Sequence, residues 1–163
     1  MKAGYINRSL IQNSAMACFL LTSFTKEYQA RTAKMRYPSF EKLLLVLPLV
    51  WHGPSRRSIH NRNFTTPLHV VISDEPRVTE RMAARVSAYA PVTAQGLNIA
   101  CATGLLIKNY EGSKKEFAFR SSRWPSGSSP TSIDSEMSGT VLRLANWFQN
   151  TTAEELFAIL DLH

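Results

Sequence analysis

The chain has 163 residues, 44% of them hydrophobic, and a formal net charge of +7. That length and apolar content suit one domain with a real core, spanning 1–163, and exclude a globally disordered chain. The basic excess turns attention to polyanions or acidic protein surfaces as partners.

The charge is unevenly spread. Residues 1–62 hold ten Lys and Arg against two acids, Glu27 and Glu41, whereas the rest is close to balanced. The start, MKAGYINRS, has no apolar run directly behind its lysine, so no secretory signal and a cytoplasmic location are expected. Cys18 and Cys101 sit on apolar stretches and read as free, buried thiols.

A helical body is expected over 7–107. Asn7 or Ser9 is suited to cap a long first helix, on which Leu10, Ala17, Leu21, Phe24 and Tyr28 recur at three- and four-residue steps. It should end in the basic run 31–36, containing Arg31, Lys34 and Arg36, where positive charge suits the helix dipole. Ser39 then caps a buried helix over 43–47 that Pro48 should end or kink. The apolar run 43–51 is too short for a bilayer, which needs about 20 apolar residues. It delivers Arg56, Arg57 and His60 to a surface, with Gly53, Pro54 and Ser55 as a turn and Ser55 as a cap.

Residues 73–89 read as an amphipathic helix capped by Ser73, with Arg77, Arg81 and Arg85 as a solvated row on its outer face. Pro91 should begin another helix, whose Ala94, Gly96, Ala100, Ala102 and Gly104 permit close approach of a neighbour. Residues 106–120 alternate as a β-hairpin with Lys114 and Lys115 just past its tip, and two helices followed by a hairpin outline a winged helix. A Ser-rich loop is expected over 121–139, with Trp124 pinning it to the body or marking an interface. C-terminal helices should fill 140–162, the last opened by a capping box at Thr152 and Glu155. The fold class is therefore mainly α, of α+β type: a helical domain with a winged-helix-like hairpin.

Chemistry-bearing motifs are missing. No phosphate-cradling G-x-x-x-x-G-K-[ST] loop and no G-x-S-x-G elbow occur, and His52, His60, His69 and His163 lack metal-ligand spacing. No enzyme, cofactor, metal, small-molecule substrate or membrane span is expected.

The helix start NRSL (7–10), LPLVWHGPSRRS (47–58) and RLANWFQNTTAEELFAILDL (143–162) together resemble the middle component of bacterial three-component ABC systems. In that family one signature runs roughly VLPLVLH, a short spacer and a Thr-Arg or Ser-Arg pair, here Ser55-Arg56. The C-terminal signature resembles LGRWF, with Asn146 here in place of the Arg. The resemblance implies a non-catalytic adaptor beside an SMC- or Rad50-like ABC ATPase and an effector such as a nuclease, with double-stranded DNA met through the complex. Lamassu-type defence against phages and plasmids is the relative it suggests. On this reading Trp51, Arg56, Arg57, Arg62, Arg31, Lys34, Arg36, Lys114, Lys115 and Trp124 are the candidate partner- or DNA-binding residues. The alternative is a stand-alone winged-helix DNA-binding regulator.

Overall fold

The computed structural model describes the backbone of residues 2–32, 36–111, 113–121, 123 and 133–162, and the side chains of the same residues except 2–13 and 111. The described chain is mainly helical, with one small antiparallel hairpin, in keeping with the α+β expectation.

Helix α1 (Lys2–Ala30) lays Ala17, Leu21, Phe24 and Tyr28 along one buried stripe, widened by Cys18, Leu20 and Thr25. It starts before the expected caps, so Asn7 and Ser9 lie inside the helix. Ser and Asn lower helix propensity by only a fraction of a kcal/mol, roughly 0.5–0.7, too little to set a boundary alone.

Ser39 caps α2 (Phe40–Leu43) by accepting from the Lys42 N–H. A continuous helix through the apolar run would need an N–H at Pro48 to reach the carbonyl of Leu44, and proline has none. The chain resolves this by turning at Leu44 and Leu45 and restarting as α3 (Val46–Val50). Pro48 then sits in the first turn of a new helix, where a missing N–H costs nothing. Every residue of α3 is buried.

The segment 53–55 is helical, not a turn: α4 (Gly53–His60) is capped by His52, and Ser55 is buried inside it. Downstream, the expected 73–89 helix is replaced by α5 (Leu68–Asp74), a 3₁₀ turn (Pro76–Thr79) and α6 (Met82–Ala102). Arg81, in the left-handed region at φ 52°, makes the break before α6. Arg77, Arg81 and Arg85 therefore share no helical row. Pro91 lies inside α6, not at its start. Its missing bond would go to Ser87, and both residues face solvent, so water satisfies the freed carbonyl.

Strands β1 (Leu106–Glu111) and β2 (Lys114–Phe119) pair from Leu106 opposite Phe119 to Glu111 opposite Lys114. The left-handed Gly104, at φ +79°, turns the chain from α6 into β1. Helix α7 (Ser135–Gln149) begins earlier than 140, because Asp134 caps it by accepting from the Met137 N–H at 2.7 Å. Helix α8 (Ala153–Ile159) opens with the expected Thr152–Glu155 capping box.

One apolar core joins α1, α3, α6, α7, β2 and α8 through Phe24, Leu47, Leu97, Phe117, Phe148 and Leu156. Phe24 meets Phe148 edge-on at 5.7 Å. Helices α1 and α6 approach closely at Gly96. A Cβ on Gly96 would lie 2.9 Å from the Ala17 Cβ and 3.0 Å from the Cys18 backbone nitrogen. Replacing Gly96 by Ala should therefore push two helices apart. Overpacking of this kind costs about 1–3 kcal/mol, outweighing the gain of ~1 kcal/mol in helix propensity. The urea midpoint is expected to fall; a midpoint equal to or above wild type would show that the α1–α6 contact yields freely.

Candidate partner-binding surface

The first signature, residues 47–58, is committed to the interior. A buried five-residue helix such as α3 leaves its last carbonyls without helical partners. Two arginines supply the missing donors. The Arg56 Nη1 donates to Val50 O at 3.0 Å, while its Nε meets Glu136 Oε1 of α7 at 2.7 Å. From α6, the Arg85 Nη1 donates to Pro48 O, and its Nη2 donates to the carbonyls of Val78 and Glu80, each at 2.8 Å. Ser55 Oγ donates to Val78 O at 2.8 Å and lies 2.7 Å from His52 Nδ1. Partial burial, then the nearby Arg85 cation, lowers the His52 pKa.

The C-terminal signature, on α7, docks a loop. Arg143 Nε donates to Arg62 O at 2.6 Å, Asn146 Nδ2 to Phe64 O at 3.2 Å and Trp147 Nε1 to Thr66 O at 2.8 Å. Donors at positions i, i+3 and i+4 of one helix face thus meet the carbonyls of residues 62, 64 and 66, in a loop that turns where the Thr66 N–H donates to Asn63 O at 3.1 Å.

The candidate residues divide accordingly. Arg56 is half-buried and paired. Arg62 is half-buried and pairs with Asp74 at 3.0 Å. Trp51 is half-buried and meets Tyr89 edge-on at 5.5 Å. Arg31 and Arg143 lie 5.0 and 4.9 Å from the ring of the exposed Phe64. Arg36, Arg57, Lys114 and Lys115 are exposed, with the Lys115 ammonium 5.6 Å from the Phe40 ring. Lys34 and Trp124 lie outside the described residues.

Arg36 and Lys114 come together at a cavity of about 550 Å³ between the α1–α2 connection, β2 and the start of α8. Lys42 reaches this cavity too. Its Nζ donates to Tyr28 Oη at 2.9 Å and to Phe148 O, near the end of α7, at 2.7 Å. Burial, with Arg36 next, pushes its pKa down to about 8, against the opposing carboxylates Glu154 and Glu116. Neither Lys42 nor Arg85 carried a signal in the sequence as an internal donor, because the breaks that turn them inward are set by tertiary packing.

Lys42 makes stability depend on pH. Above about pH 8 the folded chain releases this proton, while the unfolded chain holds its own to about 10.5. The unfolded state then binds more protons, so the Lys42 contribution to stability rises with pH through that window. Wild type is expected to gain on Lys42→Met between pH 8 and 10.5 in chemical unfolding. Parallel pH profiles for the two proteins would exclude this assignment.

Among the described residues no group of His, Cys, Asp and Glu gathers as metal ligands would, and no helix is long and apolar enough to cross a membrane. No curated protein and no solved structure matches the chain. The family model described as ABC-three component (ABC-3C) system Middle Component 3 matches residues 7–162, which takes in both signatures. The chain therefore belongs to the Middle Component 3 family of ABC-three component systems, as one of the accessory components of such a system.

Proposed function

We propose that this chain is a non-catalytic adaptor in a cytoplasmic complex with an SMC- or Rad50-like ABC ATPase and an effector, of nuclease type, acting against phages and plasmids in the manner of Lamassu systems. It bridges the ATPase heads and the effector, and it contacts DNA as part of the complex. The observation that carries this reading is the division of its polar groups. The signature side chains Arg56, Arg143, Asn146 and Trp147 are bonded to backbone carbonyls, so what the signatures secure is a shape. Meanwhile Arg36, Arg57, Lys114 and Lys115 project from that shape as exposed cations. A rigid body with free cations suits an acidic head surface or DNA phosphates.

The stand-alone regulator fits less well. The helix before the hairpin, α6, has Arg85 as its one charged residue, and that side chain is turned onto the carbonyls of Pro48, Val78 and Glu80. Such a helix has no free cation to hold it in a phosphate-lined groove.

The test is a tagged pull-down from cells expressing the whole operon, with wild type and with Arg36, Arg57, Lys114 and Lys115 changed together to Glu. Wild type is expected to recover a coiled-coil ATPase and an effector. The charge-reversed chain is expected to stay folded and to lose partner or DNA in the recovered material. Recovery of the wild-type chain with DNA and no other protein would instead favour the regulator.

A further inference from the structure

Among the described residues, the hairpin has one satisfied edge and one open edge. On β2, the Phe117 N–H donates to Pro38 O at 3.1 Å and the Phe119 N–H donates to Gln29 Oε1, so both point away from β1 into the body. Lys108 and Leu106 stand opposite Phe117 and Phe119. In an antiparallel ladder, residues opposite one another either exchange both bonds or neither, and the two kinds of pair alternate. Leu106, Lys108 and Tyr110 therefore direct their N–H and C=O groups away from β2, along the outer edge of β1.

That edge is accessible. Lys108 is exposed, and Ile107 and Tyr110, at 44% and 63%, are two of the three exposed large hydrophobic side chains among the described residues. No proline interrupts β1, and its register with β2 runs without a bulge. An unpaired strand edge is a template for another strand. The surrounding charge selects among strands: Lys108, Lys114, Lys115 and Arg120 are all exposed around this hairpin.

We infer that the outer edge of β1 is a docking site for an extended, acidic segment of another component of the complex, added as a third strand beside Lys108 and Tyr110. The inference rests on the adaptor reading above. The backbone groups of Lys108 and Tyr110 supply a short ladder of hydrogen bonds. Apolar residues of the incoming strand cover Ile107 and Tyr110, and its carboxylates meet Lys108 and Lys115.

Lys108→Pro tests this directly. The Lys108 N–H is unused within the hairpin, so proline there leaves the β1–β2 ladder intact, while its ring and missing donor block an added strand. The full-length variant is co-expressed with the other components of its operon and purified as a complex. Association is expected to weaken by roughly tenfold or more, with the thermal midpoint of the isolated chain unchanged. A measurement on wild type guards against misfolding of the variant. On assembly, the amides of Lys108 and Tyr110 should become protected from hydrogen exchange, while those of Ile107 and Asn109 are protected both before and after. Wild-type assembly with no new protection at Lys108 and Tyr110 would overturn the inference and leave the adaptor reading standing. Protection found in the isolated chain at high concentration, with a dimer that Lys108→Pro abolishes, would overturn it in favour of a second copy. Intact assembly with only DNA binding lost would also overturn it. Failure of wild type to recover any component would remove the adaptor reading itself.

Discussion

A five-residue apolar helix buried in the centre of a protein poses a problem that its own sequence cannot solve. Helix α3 exists as a separate element because Pro48 has no N–H, so the apolar run breaks at Leu44 and Leu45. The carbonyls at its far end then lie away from water without helical donors, a situation that costs about 1–3 kcal/mol per group if left unmet. Arg56 and Arg85 meet it from two sides, and each is itself tied to a further element: Arg56 to α7 through Glu136, and Arg85 to the 3₁₀ turn through Val78. The corner between α3 and α4, the approach of α6 and the placement of α7 all converge on those two guanidinium groups.

The same device recurs. Lys42 supplies a donor to Phe148 O near the end of α7, and Arg143 supplies one to the loop carbonyl of Arg62. Four basic residues, Lys42, Arg56, Arg85 and Arg143, thus have an internal purpose. Among the described residues, Arg36, Arg57, Lys114 and Lys115 remain outside, as do Lys26, Arg77, Arg81, Lys108, Arg120 and Arg123. On the proposed reading, the signatures shape the body and recognition falls to residues outside them.

The sequence made some of this legible and hid the rest for identifiable reasons. The hairpin was readable to within one residue, because period-2 alternation leaves little choice; only Glu111, expected in the turn, belongs to β1. The Thr152–Glu155 capping box and the close approach at Gly96 were readable too, since each rests on local chemistry. Boundaries set by tertiary packing were not. Pro91 reads as a helix start, but its solvent-facing position lets α6 run through it. Asp134 was lost in a Ser-rich stretch, so α7 began earlier than expected. The candidate surface suffered most: Arg56 and Arg62 read as exposed from their neighbours, and the contacts that pair them come from residues far along the chain, Glu136 and Asp74.

The central claim is that Arg56, the arginine of the family signature, caps the buried end of α3 and is a residue of the fold. Urea unfolding of Arg56→Ala, Arg85→Ala and Arg57→Ala, measured beside assembly with the other components at equal concentrations of folded chain, tests it most directly. The account predicts losses of about 2 kcal/mol or more for Arg56→Ala and Arg85→Ala, and a change within about 0.5 kcal/mol for the exposed Arg57→Ala. An Arg56→Ala chain that unfolds with wild type yet no longer assembles would contradict it, and would return that arginine to the partner-binding surface.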